Sequence, residues 1–439
     1  MKCKLIKNNN WKDVPLNSET KNIPINWGKK CFSQLFEITS SRRVHADKYV
    51  PKGIPFFRGT EITNFKKGIE TFDTFISTEF FEELKSKYEI PKKDDILITA
   101  VGTVGSVLLI ENNFDFYFKD GNIIWLKNQN NENKKYIEFF LNSKYTREKI
   151  FGLGDGSAYN ALTIKNFSSS ECLLPPINQQ NLIAQILSKQ NNLISNIESL
   201  IEKNNIVYRH LHNESLSGNL RIKENNKQLI IYKNKNWKNI EINGELKKVP
   251  TDWDVKKIND TINFNMGGTP KKEADNYAGD LPWITISNLT NKYISDYTAK
   301  ITRNKNTRVF PKGTLIGSFK MTVGKFGFLT EESSTNEAII GIKEDGTTNN
   351  LNYLYYCLPE VFINNAEKNG QGLLLLNQEK IKNLEYLIPP INEQILIANF
   401  LEGKEKAILK QKELLAKERK KFDWLLDNLL TGKYLVEEI

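Results

Sequence analysis

"LPPINQQNLIAQIL" occupies residues 174–187, and "IPPINEQILIANFL" occupies residues 388–401, 214 positions later. Similarity at a fixed separation marks an internal repeat. Working outward, "KNNNWKD" (7–13) pairs with "KNKNWKN" (233–239), and "IPINW" (23–27) with "VPTDW" (249–253), both at an offset of 226. "GIPFFRGTEITN" (53–64) pairs with "DLPWITISNLTN" (280–291) at 227. "TVG" at Thr103 recurs at Thr322, and "IKNF" at Ile164 recurs as "IKNL" at Ile381. From Leu174 the offset stays at 214 through "SGNLRI" (217–222) and "TGKYLV" (431–436). The chain is therefore a tandem duplication, each half a divergent body followed by a closely matched tail.

The tails read as helices. A Pro-Pro pair precedes Asn178 or Asn392, which the pattern makes the N-cap, its side-chain oxygen accepting from first-turn amides. Ile177 with Leu182, and Ile391 with Leu396, fit a hydrophobic staple. Gly218 and Gly432 supply the stops. Between these signals apolar residues alternate at spacings of four and three, a coiled-coil period. The expected packing positions are Ile183, Leu187, Ile194, Ile197 and Ile201 in the first tail. Those of the second are Ile397, Leu401, Ile408, Leu415, Phe422 and Leu425. Gln190, Asn204, Lys404, Gln411 and Glu418 interrupt the stripe, either as solvated positions or, the reading favoured, to set the register between the helices. About 38 residues at ~1.5 Å each make a helix of roughly 57 Å. Two similar helices in one chain most simply pair antiparallel with each other, which the chain order favours over each packing on its own body or mediating dimerisation.

Each body reads as short strands with occasional helix. "DDILITAVGTVGSVLLI" (94–110) and "GTLIGSFKMTVGKFGFL" (313–329) are apolar hairpin-like runs around a Gly turn. Helices are expected over residues 135–149 and 350–364. The fold class is thus mixed α/β (α+β): two globular domains separated by two long antiparallel coiled-coil helices, related by a pseudo-twofold repeat.

The chain has 439 residues and a net charge of +10, which suggests a polyanionic partner, nucleic acid first. Only nine of its 62 basic residues are Arg, so a Lys-rich composition bias explains the charge equally well. Basic and aromatic residues interleave over residues 40–59 and 267–289. The candidate DNA contacts are Arg42, Arg43, Arg58, Lys271 and Lys272 on these stretches and Lys325 in the second hairpin-like run, with Ser157, Tyr159, Asn160 and Gln371 on two Gly-rich loops. Arg can fork onto guanine edges, and Lys can hold phosphates.

Catalytic motifs are missing. "FGLGDG" (151–156) resembles a nucleotide-binding Gly loop but precedes a Ser/Asn-rich stretch rather than a helix. There is no NPPY-type tetrapeptide to hold an extruded adenine and no GxxxxGK[ST] loop for a motor. Asp73 with Glu83 and Lys85 lacks a counterpart in the second half. The four cysteines stand singly, and with only three histidines a zinc site is not expected. No catalytic residue, metal or cofactor is expected. No apolar run reaches the ~18 residues of a membrane span, and the start shows no secretory signal, so the expected location is the cytoplasm.

Several of these stretches together resemble one family, the specificity (S) subunits of Type I restriction-modification systems. The resemblance spans nearly the whole chain and rests on "GGTPKK…YAGDLPWITISNL", "GSFKMTVGKFGFL…STNEAIIGI", the "PPINEQ" helix start and the "LLTGK" ending. It implies two target recognition domains, each reading half of a split sequence in double-stranded DNA. The long helices then serve as spacer and as the dock for two methyltransferase subunits that bind S-adenosylmethionine. Restriction/translocase subunits join through the complex, and the S subunit is not itself the catalyst. The implied boundaries are 1–174 for the first recognition domain and 175–222 for the first helix. A linker with the second domain takes 223–387, and the second helix 388–439. Half-sites one helical turn apart need readers ~34 Å apart, within reach of such a spacer. The first body departs from the family in having "TSSRRVHAD" (39–47) where the second has its "GGTP" group. Two other readings compete: a stand-alone DNA-modifying enzyme, active alone with S-adenosylmethionine or metal, and a coiled-coil scaffold that binds nucleic acid through charge without sequence preference.

Overall fold

The computed structural model describes residues 3–66, 68–153, 162–271, 274–305, 307–343, 348–370 and 372–438. The chain divides into two units: Met1–Ser199 with Glu413–Ile439, and Leu200–Lys412. Each unit combines one body with a length of both long helices.

Those helices run Ile177–Leu216 and Ile391–Leu429. They begin two residues earlier than the cap pattern predicts, with Pro176 and Pro390 in the cap position. The Pro176 carbonyl already accepts from the Gln180 amide at 3.1 Å, and that of Pro390 from Glu393 and Gln394 at 2.8 and 3.1 Å. Asn178 and Asn392 are therefore inside the first turn, not caps. The staple fails for the same reason: it needs an apolar residue before the cap, but Ile177 and Ile391 follow it and stay 44% and 38% exposed. The stops hold. Gly218 and Gly432 take φ of +76° and +73° just past the helix ends, a left-handed conformation that glycine adopts freely.

In the first unit Ile183, Leu187, Ile194, Ile197 and Leu425 are buried, and Gln190 Nε2 donates to Glu418 Oε2 at 2.6 Å. In the second, Ile201, Ile397, Leu401 and Ile408 are buried; Asn204 donates to Gln411 at 3.0 Å and Tyr208 to Glu405 at 2.6 Å. In the second unit contact positions rise along one helix as they fall along the other, so the helices run antiparallel there. The polar interruptions meet one another: Gln190 faces Glu418, and Asn204 faces Gln411. Leu415 is half-buried. So is Phe422, whose ring lies edge-on to Phe139 at 6.2 Å.

The bodies share one topology. In the first, antiparallel strands run in the order Val107–Leu109, Ile96–Thr99, Ile123–Asn128, Phe36–Thr39. In the second, Phe326–Leu329, Leu315–Ser318, Ile339–Ile342 and Phe264–Met266 follow the same order, with Tyr293–Ile294 added at the edge. β-branched and aromatic runs buried on both faces make the central strands, Ile96–Thr99 in the first body and Leu315–Ser318 and Ile339–Ile342 in the second. Each body also has an equivalent parallel pair, Ile54–Phe57 with Tyr117–Phe118 and Leu281–Ile284 with Ser334–Thr335, and the added edge strand Tyr293–Ile294 of the second body is parallel to Phe326–Leu329 as well. The expected helix over 135–149 is two helices, Lys134–Asn142 and Lys144–Lys149. It breaks at Ser143, whose hydroxyl caps the second by accepting from the Thr146 amide at 3.2 Å. The other is continuous over Leu351–Asn365, capped by Asn350.

The two ends of the chain complete the repeat. Cys3–Lys7 pairs antiparallel with Tyr434–Glu438, with Lys7 opposite Tyr434 and Leu5 opposite Val436. Within the second unit, Leu220–Asn225 and Gln228–Lys233 form a hairpin with Lys233 opposite Leu220 and Ile231 opposite Ile222. Adding the offsets of 214 and 226 turns one register into the other. The sheet at the chain ends is thus the same ribbon as the hairpin, with a break where the hairpin has its turn. That turn, Asn226–Lys227, has φ of +49° and +62°, as the tight turns matching strand twist require.

Candidate nucleic-acid interface and helix joints

In the first body the loop after Phe36–Thr39 is stapled to the sheet by hydroxyls. Ser40 Oγ donates to the Ile123 carbonyl at 2.8 Å, Ser41 Oγ to that of Phe118 at 2.6 Å, and the Arg42 amide to Tyr117 Oη at 3.1 Å. The loop therefore holds Arg42 and Arg43 in place. The Arg42 guanidinium lies 5.2 Å from the Tyr88 ring centroid, while Arg43 is ion-paired with Asp120 at 2.9 Å. Arg58 stands at the start of the helix Gly59–Phe65, and its guanidinium is committed to the buried Glu61 at 2.8 Å. Burial pushes the Glu61 carboxyl up, but hydrogen bonds from Arg58 and the backbone outweigh it and leave the group below its ordinary value.

The second body builds the same turn from neutral groups. The Thr285 amide donates to Asn288 Oδ1 at 2.9 Å, as the Arg58 amide does to Glu61 Oε2 at 2.9 Å. The Thr298 hydroxyl also donates to Asn288 Oδ1, at 2.7 Å. Nearby, Gly267 and Gly268 donate to the carbonyls of Ile339 and Thr335, both at 2.8 Å. Arg308 Nη1 holds the Met266 carbonyl at 2.8 Å. This anchored loop carries Lys271, exposed. Lys325 is half-buried in the turn after Leu315–Ser318, its amide donating to Ser318 Oγ at 3.1 Å. Ser157, Tyr159, Asn160, Lys272 and Gln371 lie outside the described residues.

Three constructions escaped sequence reasoning. The first is a buried amide at each helix start. Gln180 donates to the Pro175 carbonyl at 2.9 Å and accepts from the Asn133 amide at 2.9 Å. Gln394 donates to the Pro389 carbonyl at 2.9 Å and accepts from the Asn350 amide at 2.9 Å. Asn133 and Asn350 cap equivalent body helices, so each glutamine ties a long helix to its body. The shared final Gln of "PPINQQ" and "PPINEQ" was the available signal.

The second is the joint behind each Gly stop. In the second unit Arg221 bonds Glu393 (Nε–Oε1, 2.7 Å) and Asp252 (Nη2–Oδ2, 2.7 Å), and Trp253 Nε1 donates to Glu393 Oε2 at 3.1 Å. Hydrogen bonding to Arg221 holds the Asp252 carboxyl below its ordinary value. The third is an aromatic cage. Lys292 Nζ lies 5.8, 6.0, 5.0 and 5.1 Å from the ring centroids of Tyr293, Phe328, Tyr355 and Tyr356, and pairs with Glu402 at 3.1 Å. Burial, then the Glu405 charge, pushes the Tyr355 phenol up to about 12. The equivalent of Lys292 in the first half is Phe65, so no single-residue pattern pointed to it.

Among the described residues no group of three or more His, Cys, Asp or Glu could hold a metal ion. None of the described helices is long and apolar enough to cross a membrane.

A family model described as the Type I restriction modification DNA specificity domain matches residues 24–205 and again 250–417. The chain belongs to this family and carries its domain twice. Among curated relatives, a type I restriction enzyme specificity subunit of Haemophilus influenzae is 35% identical over 127 residues, 28% of this chain and 31% of that one. The MjaIX specificity subunit of Methanocaldococcus jannaschii is 32% identical over 188 residues, 39% of this chain and 43% of that one. The chain thus spans less than half the length of these two. It aligns with 96% of the MjaX specificity subunit of the same organism at 24% identity, over 96% of its own length. Among solved structures, the S subunit of a Type I restriction-modification system from M. genitalium superposes with a TM-score of 0.53 at 16% identity, covering 92% of this chain and 96% of that one. A chain from a structure on complex assembly and conformational transition of the type I system gives 0.57 at 13% identity, covering 94% and 99%. At these identities the likeness concerns the fold: a mixed α/β chain with an internal repeat.

Proposed function

We propose that this chain is the DNA-specificity subunit of a type I restriction-modification complex. Each body reads one half of a split duplex target, and the two helix starts dock two copies of one methyltransferase subunit. Methyl transfer, and translocation and cleavage where a restriction subunit joins, belong to those partners; the chain itself is not the catalyst, and the complex works in the cytoplasm. The observation that carries this reading is matched joints beside unmatched loops. Gln180 and Gln394 make the same bonds at the two helix starts, as two copies of one partner demand. The loops beside the equivalent Arg58 and Thr285 turns carry different chemistry, as two different half-sites demand. The long helices also keep Leu193, Leu414 and Trp424 exposed in the first unit and Ile206, Val207 and Leu409 in the second, apolar surface of the kind that partners cover.

The contacts assigned to DNA are Arg42, Arg43 and Lys271, with Lys325 and Arg58 in supporting positions. Arg42 is the leading base reader, because its guanidinium has no carboxylate partner among the described residues. Methylation sequencing of DNA from cells co-expressing this chain with the neighbouring methyltransferase gene tests the reading. A split adenine motif, absent when the methyltransferase is expressed alone, is the expected result. A stable complex that creates no motif and binds all duplexes alike would overturn it in favour of a charge-only scaffold.

A further inference from the structure

The strand Gln228–Lys233 is exposed at all six residues. Leu229, Ile230, Ile231 and Tyr232 are 48%, 37%, 42% and 39% exposed. Successive strand residues point to opposite faces, so four apolar residues in a row leave both faces of the ribbon greasy and uncovered. The strand has one neighbour among the described residues, Leu220–Asn225, which leaves its second edge open. Proteins normally blunt such an edge with a charge, a proline or a bulge; residues 229–232 contain neither a charge nor a proline.

The repeat shows that its fold does not require this. In the ribbon of the first unit, Lys4 and Leu5 occupy the positions of Ile230 and Ile231. There the charge interrupts the apolar run, and Leu5 packs on the core. The apolar strand is a property of the second ribbon alone. Around it stand Lys223, Lys227, Lys233 and Lys235, all exposed, against one acid, Glu224; Arg221 is consumed inside the joint. Whatever covers the strand must offer apolar side chains on an extended backbone together with acidic groups. A DNA duplex would neutralise the lysines but leave the apolar residues and the open backbone edge unmatched.

We propose that Gln228–Lys233 is a strand-addition site for a partner protein, taking an extended segment of alternating apolar and acidic residues onto its open edge. The proposal rests on the functional reading above in identifying that partner as the methyltransferase subunit. The test is hydrogen exchange of the full chain, alone and in its co-expressed methyltransferase complex, for wild type, Ile230→Lys and Lys233→Glu. Ile230→Lys copies the residue that the first ribbon already carries, and circular dichroism checks that it folds. The complex is expected to slow exchange across residues 228–233. Both variants should reverse that protection and weaken assembly about tenfold, the equivalent of ~1.4 kcal/mol. A complex that forms while these amides exchange as in the free chain overturns the strand-addition site and leaves the functional reading standing. Protection that appears only with duplex DNA overturns it in favour of a nucleic-acid contact. If wild type forms no complex with the methyltransferase, the functional reading fails, and this proposal with it.

Discussion

The two joints, where a long helix stops at glycine and meets the next body, have the same backbone and opposite chemistry. In the second unit a buried guanidinium, Arg221, is clamped by Glu393 and Asp252, and Glu393 also accepts from the Trp253 indole and, at 3.3 Å, from the Ile222 amide. In the first unit the same four positions hold Leu435, Gln179, Asn26 and Trp27. Gln179 exchanges two bonds with Val436, donating to its carbonyl at 2.6 Å and accepting from its amide at 3.2 Å, while the buried Trp27 Nε1 has no hydrogen-bond partner among the described residues. The lesson concerns which part of a joint the repeat must preserve. The backbone contact, a side chain at position 179 or 393 meeting the strand amide at 436 or 222, is kept in both. The ion network is an addition, and its burial makes it the more fragile device.

The largest difference is expected between Glu393→Ala and Gln179→Ala. Removing Glu393 leaves the buried Arg221 with Asp252 as its one carboxylate, beside Asn234 Oδ1 at 3.3 Å, and orphans the Trp253 indole, a loss of about 3–5 kcal/mol. Removing Gln179 costs only the bonds of a neutral amide, about 1–3 kcal/mol. Exchange of the Ile222 and Val436 amides reads the two joints separately; equal losses would mean that the charge network adds nothing.

Gly218→Ala and Gly432→Ala come next. Both residues sit at positive φ, and an added Cβ would meet Pro250 Cγ at 2.4 Å or Pro24 Cγ at 2.3 Å. Each substitution should cost about 1–3 kcal/mol at its own joint, by nearly equal amounts, because this part of the joint is shared. Unequal shifts in local exchange would place the difference in the backbone rather than the charges.

Acidification should separate the joints without mutation. The Asp252 carboxyl titrates below its ordinary value in the folded chain. Its stabilisation is therefore present above the unfolded value of about 3.9 and is lost as pH falls through the lower, folded one. The Ile222 amide should begin to exchange faster below about pH 4 relative to Val436, whose joint has Asn26 at that place. Parallel acid profiles would argue against the ion network as the source of the difference.

The smallest effect is expected from rearranging the chain. Linking its two ends with a short turn and opening the chain at Asn226–Lys227 exchanges the roles of the two ribbons, so the rearranged protein should unfold within about 1 kcal/mol of the original. A large loss on thermal unfolding would show that the Asn226–Lys227 turn does more than connect two strands.

Much of the architecture was legible in the residues. The duplicated helix starts, the Gly stops and the four-three apolar spacing follow from local rules, so the repeat, the long helices and their buried stripe could be read directly. The strands around both "TVG" turns were legible for the same reason. The cap failed because Pro-Pro-Ile-Asn offers two caps two residues apart, and the side chain of Gln180 or Gln394, held by a nearby proline carbonyl and a distant backbone amide, selects the earlier one. The candidate DNA residues were legible only as types. Arg42, Arg43 and Arg58 look alike in a string, yet Tyr88, Asp120 and Glu61, up to 77 positions away, give each a different environment.

By itself, the sequence determined the duplication, the two helices, the mixed α/β bodies and the family, because periodicity, capping and turn chemistry act over a few residues and leave their pattern in neighbouring letters. Tertiary structure alone decided that the chain ends pair as one ribbon, that Arg221 finds Glu393 across 172 positions, that Lys292 is caged by four rings and paired with Glu402, and that Gln228–Lys233 is left uncovered. Those outcomes depend on which distant groups share a dry or an open environment, and burial is a property of the folded chain that no single stretch of it contains.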